Sequence, residues 1–205
     1  MGRIKFETRV SRKYEGECMN IVKKIIKHTL LVSKHKWLVF KLSVKAGIPF
    51  RGLIHDLSKF SPTEFFESVK YYNGYRSPLN ECRENIGYSK AWLHHKGRNK
   101  HHFEYWEDLS KNERIGVFLP YKYIVEAICD KIAAGMAYNG MNWTKEEPLK
   151  YWTNIEKPGP TVKHPATIEF VDTVLKKVSD DGLDSAINSK YLKSVYRDVC
   201  KKYKE

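Results

Sequence analysis

Seven of the eight histidines fall between positions 28 and 102, and their grouping is the most chemically specific feature of the sequence. His35 stands alone, His55 is followed directly by Asp56, the pairs His94/His95 and His101/His102 lie seven residues apart, and Asp130 comes later. Neutral imidazole nitrogens mixed with hard carboxylate oxygens suit Fe, Mn, Zn, Co or Ni better than an all-oxygen set would. The expected cofactor is therefore a divalent transition metal. An adjacent His and Asp on a helix point about 100° apart. That is awkward for one tetrahedral ion and natural for a carboxylate bridging two, so two ions are expected.

Each candidate has a plainer reading. A single His35 on an amphipathic helix is more often a packed core residue than a ligand, but the joint occurrence favours ligation. Asp56, beside His55 and Lys59 in an otherwise apolar turn, is costly to bury without a metal or a partner. Asp130 follows the same logic, with pairing to Lys131 or Arg98 as the alternative. His28 and His164 read as structural. Phe103, Tyr105 and Trp106 could stack a base, but at helical spacing they read as core. Asn99 either orients a histidine or caps a helix.

The elements that must carry these residues read as helices. Apolar positions recur every three or four residues from Asn20 to Val44, with Gly47 beyond, which predicts a long amphipathic helix. A short helical run covers Leu53 to Phe60. Ser61, Pro62 and Glu64 form a capping-box pattern opening a helix to about Tyr72. Breakers mark 73–87 as a loop, helix resumes over Tyr88 to His95, Gly97 interrupts it, and Lys100 to Trp106 makes a short turn. If Gly97 ends the helix, members of both His doublets are able to converge. Pro120 opens a helix to about Tyr138, a Pro-rich connection fills 140–165, and two helices close the chain near 166–178 and 185–203. No alternation long enough for a strand is present. The expected fold class is all-α.

The order His35, His55-Asp56, further histidines and Asp130 resembles the HD superfamily of metal-dependent phosphohydrolases. The stretch Gly52 to Phe60, a His-Asp doublet with lysine three residues later, is similar to that family's signature, with Ser58 where glycine is commoner. Ile128 to Gly135 resembles its final aspartate helix. The histidine-rich stretch 94–106 is closer to a small uncharacterised HD-like family of bacteria and phages. The resemblance covers roughly residues 28–140 and implies an HD-type helical bundle with additional C-terminal helices, here a single domain of 1–205 with a C-terminal extension from about 141. It implies that His35, His55, Asp56 and Asp130 hold one ion, and that Asp56 with the central histidines His94, His95, His101 and His102 hold a second. The activity implied is hydrolysis of a nucleotide or other phosphate ester through a metal-bound hydroxide, with Asp56 and Lys59 catalytic and Lys59, Lys96 or Arg98 neutralising the phosphoryl charge. The alternatives are an HD-type non-haem di-iron oxygenase and a nucleic-acid-binding module with a structural metal.

Composition bounds these readings. With 205 residues, 41% hydrophobic, and 27 aromatics among them, the chain has material for one sizeable core and does not read as disordered. The net charge of +13 is uneven: residues 1–51 hold 13 Lys and Arg against 3 Glu, whereas 52–149 hold 13 of each sign. That front attracts anionic partners such as a nucleotide, nucleic acid or a lipid surface, while a single lysine such as Lys23, Lys24 or Lys27 reads as a wet face. Lysines interrupt the most apolar stretch, so no membrane span is expected. Met1 to Lys5 lacks a secretory pattern, and Cys18, Cys82, Cys129 and Cys200 are scattered without a CxxC pair, so a cytoplasmic protein with reduced thiols is expected.

Overall fold

A computed structural model describes residues 19–204. Cys18, the first five residues and the leading part of the basic segment lie outside the described residues. Among the described residues the fold is all-α apart from one two-stranded hairpin. The chain divides into two compact units that interleave in sequence, one comprising residues up to Lys34 with Asp56–Arg98 and the other His35–His55 with Asn99–Glu205. The division falls inside the His55-Asp56 doublet.

Helix α1, Ile21–Lys45, begins where the Asn20 side chain accepts from the Lys23 backbone N–H at 2.9 Å. Its buried positions, among them His28, Val32, His35, Val39 and Leu42, recur at helical spacing. The short α2, Pro49–Ile54, approaches α1 closely at Gly52, where a Cβ would stand 2.5 Å from the Ser43 Cβ. His55 and Asp56 are then not helical, contrary to the reading of Leu53 to Phe60 as one helix. His55 is extended (φ −52°, ψ 129°) and Asp56 is left-handed (φ 50°, ψ 29°), before a 3₁₀ turn at Leu57–Phe60. Left-handed backbone is uncommon outside glycine, though aspartate tolerates it better than most residues.

In the first unit, α3 (Pro62–Lys70), α4 (Pro78–Ile86) and α5 (Lys90–Arg98) pack around Val69, Tyr72, Cys82 and Ala91. Helix α4 occupies what the sequence marked as loop. Pro78 sits in its first turn, where a missing N–H costs nothing, and Gly87 closes it at φ 83°. Glu67 ties α3 to α5, accepting from Ser89 Oγ at 2.5 Å and from the Ala91 N–H at 3.0 Å. Gly97 lies within α5, and helical continuity ends at Arg98, so the two His doublets are on different segments.

The second unit is built on α6 (Tyr121–Asn139), α7 (Glu147–Tyr151), α8 (Pro165–Asp181), the single turn α9 (Leu183–Ala186) and α10 (Ser189–Tyr203). Its apolar core includes Val39, Ile124, Ile128, Ile132, Trp152, Phe170, Val174 and Leu192, with Phe103 among them. The hairpin β1 (Glu107–Ser110) and β2 (Glu113–Gly116) was not anticipated. Its strands are four residues long and mostly exposed, so they leave no alternating pattern, and Lys111 and Asn112 turn the chain at positive φ. The 140–165 connection contains α7 and a wide turn at Trp152–Glu156, anchored where Trp152 Nε1 donates to Asp172 at 2.6 Å. The last helix starts at Ser189 instead of 185, because the Asn188 side chain accepts from the Tyr191 N–H.

Candidate metal centre

In the second unit, α1 contributes His35, the segment after α2 contributes His55, and α6 contributes Asp130. His35 Nε2 lies 3.0 Å from Asp130 Oδ1 and 3.3 Å from His55 Nε2, and His55 Nε2 lies 3.4 Å from the same carboxylate oxygen. Donors that share one ion at about 2.0–2.1 Å stand roughly 3.0–3.4 Å apart in octahedral or tetrahedral arrangements. The three atoms therefore have the spacing of a ligand set. His101 flanks them, with its Nε2 3.8 Å from Asp130 Oδ2 and its ring 4.6 Å from that of His55. The His102 ring is tilted by 43° against that of His101, with centroids 4.2 Å apart.

Sequence reasoning missed the residue behind this set. Glu126 is fully buried one turn before Asp130 on α6, so both carboxylates project from one face. Glu126 Oε1 meets His55 Nδ1 at 3.1 Å and His101 Nδ1 at 3.4 Å, while Oε2 accepts from Arg51 Nε at 2.8 Å. A proton fixed on His55 Nδ1 leaves Nε2 as the electron-pair donor, the arrangement that orients metal-binding histidines. The Lys36 ammonium donates to the His55 carbonyl and holds that extended residue in place. The signal that could have found Glu126 was its position four residues before Asp130.

The electrostatics agree with a charged, ligand-ready set. Burial alone would raise the Glu126 carboxyl, but hydrogen bonds from His101 and His55 outweigh it and bring it down to about 2. Burial likewise opposes ionisation of Asp130, and His35 and His55 overcome it, holding the group well below the usual carboxylate range. Lys131 does not pair with Asp130; it bonds Glu156 at 2.7 Å. Burial pushes the Cys129 thiol up to about 12, and Cys82, Cys129 and Cys200 are free of disulfides. Buried histidine and carboxylate groups of this kind can hold a metal ion.

The first unit holds a network of its own residues. Asp56 lies 2.5 Å from Lys59 Nζ and 3.4 Å from His95 Nε2. His95 Nδ1 bonds Glu64 Oε2 at 2.7 Å, and His94 Nδ1 bonds Glu64 Oε1 at 2.6 Å. Glu64 is thus no capping-box residue. Ser61 is the N-cap of α3 without a side-chain cap bond, and the buried Glu64 carboxylate turns to the two imidazoles. Burial raises its pKa, but the His95 and His94 bonds prevail and hold it below the ordinary value. The structure thus gathers His35, His55, His101 and Asp130 in one unit with His102 alongside, and Asp56, Lys59, His94 and His95 in the other. His28 packs between Phe65 and Tyr72, and His164 caps α8 by accepting from the Ala166 N–H at 3.1 Å.

Residues 24–177 match the model of DUF5662, a family of unknown function. The chain belongs to that family. The match begins within α1 and ends within α8, so it contains every candidate ligand named above. Comparison with curated proteins gives no match, and neither does comparison with solved structures. Among the described residues, no helix is long and apolar enough to cross a membrane.

Proposed function

We propose that this DUF5662 chain is a metal-dependent phosphohydrolase acting on a nucleotide or another phosphate ester, as its resemblance to the HD superfamily implies. The observation that carries the reading is the triangle of His35 Nε2, His55 Nε2 and Asp130 Oδ1, with Glu126 bonded to the far nitrogen of His55. His35, His55 and Asp130 would hold a divalent transition metal such as iron or manganese. When bound, such an ion supplies Lewis acidity and water acidified to near neutral pH.

The chain's own residues do the rest. Glu126 keeps the Nδ1 proton on His55, and Arg51 balances the charge of Glu126 so that it is not left bare in the core. His101, shared between Glu126 and Asp130, is placed to orient the second Asp130 oxygen or to accept a proton. In the first unit, Lys59 carries the positive charge assigned to the phosphoryl oxygens, held in place by Asp56. The second ion, expected on Asp56 with the central histidines His94, His95, His101 and His102, belongs to the same proposal.

The test is metal analysis of protein purified without added metal, followed by a screen of nucleotides and phosphate esters with and without chelator. Bound metal together with chelator-sensitive phosphate release is the expected outcome. Tightly held iron that consumes dioxygen without releasing phosphate would replace the reading with the oxygenase. Salt-sensitive nucleic-acid binding without turnover would replace it with the binding module.

A further inference from the structure

Helix α1 has a second face that the metal centre does not use. At about 100° per residue, Val22, Ile26, Leu30, Trp37 and Val44 fall within a sector of about 80°. All five are exposed, Leu30 at 64% and Trp37 at 57%, while the buried residues His28, Val32, His35, Val39 and Leu42 lie on the opposite side. Lys23, Lys27, Lys34, Lys41 and Lys45 form a neighbouring row, roughly 100–140° from Val22 on the same wheel, and all are exposed. The helix contains no acidic residue along its 25 positions. Trp37 stacks on Phe40 with centroids 5.8 Å apart and has the Lys41 ammonium 5.9 Å from its ring, so the indole is held outward beside positive charge.

We propose that this face of α1 docks on an anionic lipid surface. An apolar row running the length of the helix, with a parallel row of lysines and no acidic residue in the helix itself, is the pattern of helices that lie in the plane of a membrane interface; Lys45, at the end of the row, also pairs with Asp184 at 2.5 Å. The aliphatic side chains enter the boundary between headgroups and acyl chains, tryptophan seats at headgroup level, and the lysines meet lipid phosphates and carboxylates. A nucleic acid would use the lysines but leave the five apolar residues in water, so the apolar row decides for lipid. The surface is independent of the proposed phosphohydrolase chemistry.

Flotation of the full chain with phosphatidylcholine vesicles, with and without about 30% phosphatidylserine, tests the proposal. Binding is expected to the anionic vesicles and to fall about a hundredfold when Lys23, Lys27 and Lys34 are changed together to Gln, since each lysine near the surface adds attraction. Leu30→Gln with Trp37→Gln is expected to weaken binding at least about tenfold. Because both side chains are exposed, circular dichroism and melting temperature should stay unchanged to within about 3 °C. Absence of binding to anionic vesicles would overturn the proposal, as would binding that survives Leu30→Gln with Trp37→Gln. A dimer that those two changes dissolve, with no vesicle binding, would assign the face to a second copy instead.

Discussion

Among the described residues, each unit buries one glutamate behind a histidine, and the two uses differ. Glu126 holds the Nδ1 side of His55, whose Nε2 faces His35 and Asp130, so three electron-pair donors converge. Glu64 holds the Nδ1 side of His95, whose Nε2 faces Asp56, and Asp56 already has the Lys59 ammonium at 2.5 Å. Donors crowded upon donors are stable only with a cation or an added proton among them. The alternation Glu64, His95, Asp56, Lys59 already carries a cation of its own, the Lys59 ammonium, against its second carboxylate. A buried glutamate is therefore no marker of a metal by itself; what the far nitrogen of its histidine meets decides.

The sharpest way to break the comparison is to remove donors from the second unit. Asp130→Asn and His55→Ala should each lower metal affinity by at least about a hundredfold, because three-ligand sites bind poorly with two. Metal content after dialysis and melting curves with and without added metal measure this, since an ion bound only by the folded state raises the melting temperature. Full stoichiometry in both variants would remove the second unit as the metal centre.

A smaller effect sharpens the contrast between the glutamates. Glu126→Gln keeps the shape but turns one of its two acceptor oxygens into an N–H donor, so it can no longer accept from both His55 Nδ1 and Arg51. Outer partners of this kind are worth roughly 10–100-fold in metal affinity. Glu64→Gln should leave the affinity of the second unit's ion unchanged. If the first unit also takes an ion through Asp56 and His95, the same substitution lowers the metal content from two per chain toward one. Titration calorimetry on metal-free protein separates these outcomes, and equal effects of the two substitutions on the first ion would abolish the distinction.

The helices were legible because their signals are local. The apolar period of α1 and α6 and the proline at the start of α3 depend on neighbours three or four residues away. Helix α4 was misread because Pro78 and Gly87 are the same residues whether they bound a loop or cap a helix. The ligand candidates were visible as residue types, and the hydrogen-bond partners of each were not, because these depend on where α5 ends and on the left-handed turn at Asp56. Glu64 and Glu126 were hidden for a related reason. A glutamate in a helix is common, and its meaning lies in burial and in an imidazole brought to it from 30 or 71 residues away.

The smallest expected effect concerns a histidine of the first unit that takes no part in either network of ligands. Burial between Phe65 and Tyr72, with the Lys59 charge nearby, lowers His28 from 6.5 to about 4. Its folded form is neutral, so the unfolded chain binds a proton more readily between those two values. Stability from this group is fully present above about pH 6.5 and is lost as the pH falls toward 4, about 2 kcal/mol of it between pH 7 and pH 5. The depressed carboxyls of Glu64, Glu126 and Asp130 lose their contribution in a lower window, below about 4.5, as the pH falls toward their folded values. Urea unfolding of metal-free wild type and His28→Leu at pH 7 and pH 5 isolates the histidine. The wild type should lose about 2 kcal/mol more than the variant over that interval. Parallel losses in the two proteins would show that His28 is already protonated in the folded chain at pH 5, and that its aromatic pocket admits the charge.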